Sequence, residues 1–184
     1  MKQVILSFDD GRKDNYTVAW PLLRKYDLTA SMHIVTGFVD GSKKASFSLG
    51  EAAMNIENIK ELASNGIDIS SHGDEHINDE NDLKQSIQKL KQWGILNGQD
   101  IVFSSPNSEI YEGNIAEYLP MLKHNDVCCV RSGVQVRRNG LLYSFCYMLQ
   151  MITKSKFLYY ILNKDNIMTE TGLKFMYWGG GGWV

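Results

Sequence analysis

Short apolar runs alternate with amphipathic stripes over residues 3–130, and this alternation restricts the fold more than any other property of the chain. Gln3-Val4-Ile5-Leu6-Ser7-Phe8 predicts a buried strand that ends at the turn-forming Asp9-Asp10-Gly11. Asn15 to Tyr26 predicts a helix with Val18, Leu22 and Leu23 on one side, broken or kinked at Pro21. Ala30 to Val35 predicts a second strand, followed by a loop that runs to about Gly50. Ile56, Ile59, Leu62 and Ala63 share a helical face, with Asn55 placed to cap it and Gly66 just past its end. Ile67 to Ser71 predicts a third strand. Leu83, Ile87 and Leu90 line the next helix, with Trp93 close to the same stripe. Asp100 to Phe103 predicts a fourth strand, Ile115 to Lys123 a helix bent by Pro120, and Val127 to Val130 a fifth strand. Strand and helix exchanging at least five times predict a parallel α/β sheet or barrel. A length of 184 residues suits a single domain over 1–184 with a sizeable core.

Composition removes several classes. A hydrophobic fraction of 43% and a charged fraction of 22% are ordinary for a soluble globular chain. A net charge of -2 provides no basic field, so nucleic acid is not an expected partner. The three cysteines form neither a disulfide framework nor a zinc spacing. Cys128 and Cys129 are expected as reduced strand residues facing opposite ways, with a redox switch as the alternative. Leu141 to Leu162 is the most apolar stretch, but Gln150, Lys154 and Lys156 make it a poor membrane span. It is expected as one or two helices, or alternatively as a patch facing a partner or membrane. The N-terminus runs directly into a strand with no signal peptide, so the expected location is cytoplasmic.

Parallel α/β folds gather their active sites at the carboxyl ends of strands. Asp9 and Asp10 follow the first predicted strand, His72 and His76 the third, Ser104 to Asn107 the fourth, and Arg131 the fifth. Adjacent carboxylates repel, and burying either is costly unless something binds it. His72 and His76 are four apart, a spacing that on a helical turn puts both imidazoles on one face. The pair is either a metal-binding element or a polar, solvated turn. A carboxylate from Asp9 or Asp10 would complete a His-His-Asp triad suited to Zn²⁺, and also to Co²⁺, Mn²⁺ or Ni²⁺. The other Asp would then act as base on a metal-bound water. His33 reads as a strand residue and His124 as a helix-end residue, neither with a catalytic role.

Ser-Phe-Asp-Asp-Gly at 7–11, His-x-x-x-His at 72–76 and Phe-x-x-Pro at 103–106 resemble the polysaccharide deacetylases, carbohydrate esterase family 4. The likeness in order and spacing runs to about Gly133. It implies a distorted, here incomplete, (β/α)7 barrel with parallel strands. It also implies a metal-dependent hydrolase, acting on carbon–nitrogen bonds other than peptide bonds, that removes acetyl groups from an acetylated oligo- or polysaccharide. By the same resemblance Asp9 is the general base, Asp10, His72 and His76 hold the metal (Zn²⁺ above all), and a backbone N–H near Asn107 stabilises the oxyanion.

Three departures qualify that picture. Gly73 stands where the family usually has Ser or Thr, which removes a side-chain hydrogen bond from the loop. Ser104-Ser105-Pro106-Asn107 stands where Arg-Pro-Pro-Tyr is typical, so the arginine that orients the base is absent there. Arg131 is the candidate replacement, and a bland surface arginine the alternative. The family's general acid comes from a Leu-x-His motif near the C-terminus, whereas no histidine follows His124. Gly181-Gly182-Trp183-Val184 resembles the approach to that motif, so the domain is expected to stop just short of it. A catalytically impaired relative that binds metal or glycan without turnover is the alternative. A phosphatase of the Asp-x-Asp-Gly type fails on spacing.

Overall fold

The computed structural model describes residues 6–45, 47, 52–98, 100–110, 114–133 and 174–178. Its strands are β1 (Ser7–Phe8), β2 (Ser31–Ile34), β3 (Asp68–Ser71), β4 (Ile101–Ser104), β5 (Val127–Gly133) and β6 (Lys174–Trp178). They form one sheet in the order β1-β2-β3-β4-β5-β6, and every pairing is parallel. Parallel neighbours need crossovers, supplied in the described part by α1 (Trp20–Lys25), α2 (Thr36–Val39), α3 (Ile56–Ser64), α4 (Glu80–Gln92) and α5 (Ile115–His124). Among the described strands the order never reverses, so they contain no switch point of the doubly wound kind. Winding in one direction is barrel-type topology, and the α/β expectation holds.

Apolar periodicity built the helices that the sequence foretold. Ile59 and Leu62 of α3 and Leu83, Ile87 and Leu90 of α4 are buried against Met32, Ile34, Phe103 and Val130 of the sheet. The α3 cap is reciprocal: Asn58 N donates to Asn55 Oδ1 at 2.9 Å, and Asn55 N donates to Asn58 Oδ1 at 3.3 Å. Gly66 follows at φ 84°, a conformation that favours glycine.

Four details differ from the sequence reading. Residues Asn15–Ala19 form a π-helical turn that runs directly into α1, and the helix continues past Pro21 to Lys25 rather than breaking there. The wide turn breaks the 3.6-residue phase, so Trp20 and Leu23 are buried while Val18 and Leu22 are exposed. α2 occupies a stretch read as loop, being too short to show a period. β5 extends to Gly133, which places Arg131 inside the strand, opposite Ser104. β6 was not foreseen, and the helices expected over Leu141 to Leu162 lie outside the described residues. α5 continues through Pro120. Cys129 is buried and Cys128 partly so, in keeping with opposite faces. No helix among the described residues is long and apolar enough to cross a membrane.

His33 on β2 is fully buried, and neither ring nitrogen has a hydrogen-bond partner. Burial, then the charges of Arg131 and His72, hold its pKa well below the usual 6.5. Removing an unpaired buried polar group is stabilising, so His33→Leu should raise stability by about 1–3 kcal/mol. The unfolded chain protonates this ring below pH 6.5 while the folded chain does not, so the group costs stability as pH falls. The variant should therefore melt higher at pH 7.5 and gain more at pH 5.5, as read by calorimetry. An unchanged or lower midpoint at both values would show that the ring is paired in solution.

Candidate metal centre and base

β1 ends at Phe8, and the chain turns sharply through Asp10 (φ 70°) and Gly11 (φ 77°). A Cβ at Gly11 would meet Val39 Cγ2 at 3.1 Å, so the turn presses against the core and favours glycine. The backbone is pinned where Met54 N donates to Gly11 O at 2.8 Å and Lys13 N to Ala52 O at 2.8 Å. This turn sends the two neighbouring carboxylates to different partners.

Asp10 Oδ1 lies 3.5 Å from His72 Nε2 and 3.6 Å from His76 Nε2, and the two Nε2 atoms are 3.1 Å apart. One ligand atom from each residue lies within 4.8 Å of the others. His72 follows β3, and its Nδ1 is 2.7 Å from the Ser104 carbonyl. That carbonyl can only accept, so Nδ1 bears the proton and Nε2 is left with its lone pair toward Asp10. Burial, then the neighbouring His76, lower the His72 pKa to about 4, which keeps the ring neutral. The spacing of four does not act through a helical turn as expected. The segment is an irregular loop, with Gly73 at φ 85° and His76 at φ 67°.

Asp9 pairs with Arg131. Arg131 Nη2 donates to Asp9 Oδ1 at 2.7 Å and Oδ2 at 2.6 Å, and Nη1 donates to Oδ2 at 3.2 Å. The guanidinium is buried, with Nε donating to Ser7 Oγ at 3.2 Å and Nη1 to Ser104 Oγ at 3.3 Å. Burial raises the Asp9 pKa, with Arg131 lowering it by less. Arg131 thus comes from β5 rather than from the end of β4, and Ser104 stands beside its guanidinium. Ser7 and Ser104 went unassigned in the sequence reading, although both lie inside the motifs it singled out.

Asn107 is exposed, at φ 54° in the 3₁₀ turn Pro106–Ser108. Ser105 anchors that turn: its Oγ accepts from Ile110 N at 2.9 Å and donates to Asn78 Oδ1 at 3.0 Å. Asn78 Nδ2 also donates to Pro106 O at 2.9 Å, which ties the turn to the segment following His76. His124 ends α5, exposed and 3.1 Å from Glu80 Oε1.

Parallel strands wound in one direction, with an Asp-His-His cluster and an Asp–Arg pair at their carboxyl ends, define a barrel-type α/β protein with a candidate metal centre. The sequence profile of the polysaccharide deacetylases matches residues 1–112, and the chain belongs to that family. It is 37% identical over 76 residues to YxkH of Bacillus subtilis (strain 168), whose name places it among the polysaccharide deacetylases. That match takes in 41% of this chain and 24% of YxkH. The fold resembles IcaB from Ammonifex degensii (TM-score 0.59, 21% identity, 71% of this chain and 60% of that one). It also resembles the deacetylase PplD of Streptococcus pyogenes, solved in complex with acetate (TM-score 0.57, 20% identity, 70% of this chain and 55% of that one). The chain therefore spans about a quarter of the curated relative and somewhat over half of these two structures.

Proposed function

We propose that this protein is a metal-dependent hydrolase that removes acetyl groups from an N- or O-acetylated oligo- or polysaccharide. The observation that carries the reading is the division of two adjacent carboxylates, Asp10 to two imidazoles and Asp9 to a buried arginine. Family membership supports the substrate class.

The residues fit a divalent cation. Two imidazole nitrogens and one carboxylate oxygen lie within 4.8 Å of one another, the donor set of a catalytic Zn²⁺ site with open positions, which Co²⁺, Mn²⁺ or Ni²⁺ also accept. Such a cation would supply Lewis-acid polarisation of the acetyl carbonyl and would acidify the attacking water. Asp10, His72 and His76 would hold it, and Ser104 fixes the His72 tautomer through its carbonyl. Asp9 takes the proton from the attacking water. Arg131 holds the Asp9 carboxylate in place through both oxygens, and the raised pKa of Asp9 suits a base better than an ordinary aspartate would. The Asn107 backbone N–H is assigned to the oxyanion, in a turn fixed by Ser105 and Asn78.

The sequence favours a second reading, a relative that binds metal or glycan without turnover, through Gly73 and Ser104-Ser105-Pro106-Asn107, which depart from the family's usual residues. One experiment separates the two. Bound metal is measured by elemental analysis, and acetate release is assayed on N-acetylglucosamine oligomers and acetylxylan. Near-stoichiometric metal with acetate release is expected. Metal without acetate on either substrate favours the impaired relative, and no metal after reconstitution overturns the metal-dependent hydrolase and leaves only a glycan-binding relative.

A further inference from the structure

We propose that Asp82 is the positioning residue of the His72–His76 loop, supplying from α4 the hydrogen bonding that Gly73 cannot. The inference rests on the reading of that loop as the metal-binding one. Asp82 is buried in the first turn of α4. Its Oδ2 accepts from Asp74 N at 2.9 Å, and its Oδ1 accepts from Glu75 N at 2.6 Å. One carboxylate thus takes two consecutive amides of a loop that has no helical hydrogen bonds of its own. An acidic residue near a helix N-terminus is ordinarily explained by the helix itself. Here Asp79 meets that need, since Asp82 N donates to Asp79 Oδ1 at 2.9 Å, and the Asp82 oxygens leave the helix for the loop.

Gly73 and Asp82 require one another. A Cβ on Gly73 would stand 2.2 Å from Asp82 Oδ2, which is inside van der Waals contact. The space that a Ser or Thr side chain would fill is occupied by the carboxylate. The loop's other side is held separately: Thr36 N donates to Gly73 O at 3.0 Å and Gly37 N to Asp74 O at 3.0 Å. Thr36 Oγ1 and Lys89 Nζ also reach Asp74 Oδ1, at 2.6 and 2.8 Å. The peptides between Gly73 and Glu75 are therefore fixed on both sides, directly before His76. His72 has its own anchor in Ser104, so Asp82 acts on the placement of His76.

The test compares wild type, Asp82→Ala, Asp82→Asn, Gly73→Ala and the double variant Gly73→Ala/Asp82→Ala. Amide hydrogen exchange at Asp74 and Glu75 is measured in metal-free protein, with Leu90 as the reference for global opening, and Co²⁺ affinity is measured by titration. Asp82→Ala should speed exchange at both amides, leave Leu90 unchanged and weaken Co²⁺ about 10–100-fold, the usual range for residues that orient metal ligands. Asp82→Asn keeps one acceptor and should fall between. Gly73→Ala should loosen the same amides, and its effect should shrink when Asp82 is already Ala. Unchanged protection at Asp74 and Glu75, or faster exchange with Co²⁺ affinity within twofold of wild type, overturns the proposal. Should wild type bind no Co²⁺, the metal reading fails, and the exchange data alone decide whether Asp82 holds the loop. Should Asp82→Ala fail to fold, Asp82→Asn serves for both arms.

Discussion

His76→Ala should remain folded and lose its metal. Of the two imidazoles, His76 is the better probe. Its side chain is 27% exposed, whereas that of His72 is 4% exposed and bonded to Ser104. Truncating His72 would open a buried site and leave a carbonyl unpaired, which mixes stability with chemistry. Truncating His76 removes one of three donors and little packing, so stability should change by about 1 kcal/mol or less. The backbone there is left-handed, at φ 67°, and alanine tolerates this less well than histidine or asparagine. His76→Asn therefore serves as a control for the backbone. Two remaining donors leave a weak, open chelate, so bound Zn²⁺ or Co²⁺ should fall to background after dialysis. Acetate release should fall by about 10³-fold or more, because the charge stabilisation supplied by a cation is lost whole. Elemental analysis and a Co²⁺ titration check this. Metal retained equally by wild type and both variants would remove Asp10, His72 and His76 as ligands.

The first five strands were legible because each lies in a short apolar run that ends in a turn or polar signal, and because the crossover helices α3 and α4 bury a regular stripe. Ile59, Leu62, Leu83, Ile87 and Leu90 all face the core as their spacing predicts. Legibility failed where local geometry departs from a fixed period. The π-helical turn at Asn15–Ala19 shifts the phase of every later residue in that segment, and periodicity counted from Asn15 therefore misplaced Val18 and Leu22. α2 is a single turn held by the loop beside it, through Thr36 N to Gly73 O and Gly37 N to Asp74 O, and no pattern within four residues announces such a contact.

The candidate site was legible by residue type and position along strands, and less so by mechanism. Asp10, His72 and His76 lie together as the resemblance implied, although the loop that brings the two imidazoles to 3.1 Å is not helical. Gly73 had the look of a lost hydrogen bond. The missing information lay nine residues downstream, at Asp82, beside a helix recognised only by its apolar stripe of Leu83, Ile87 and Leu90. Side chains that act across elements leave no spacing signal, and the same holds for Arg131, which is 122 residues from the carboxylate it grips.

Arg131→Met should retain metal and lose most of its activity. The guanidinium holds Asp9 through three hydrogen bonds, whereas His72 is anchored by the Ser104 carbonyl, so the metal-binding donors should be left in place. Without it, Asp9 keeps the burial that raises its pKa and loses the positive charge that opposes that rise. The carboxyl then titrates higher still, and the acid limb of the rate profile should move to higher pH. The carboxylate also loses its orientation, and misplacing a general base costs about 10²–10⁴-fold in rate. Arg131→Lys restores the charge without the planar fork, so it should recover the position of the acid limb more than the rate. Asp9→Asn, which removes the base, should match or exceed the loss in Arg131→Met and abolish that limb. The measurements are acetate release from pH 5 to 9 with metal content determined in parallel. An Arg131→Met enzyme with full rate and an unmoved acid limb would show that Asp9 needs no partner, and that the Asp9–Arg131 pair serves the fold alone.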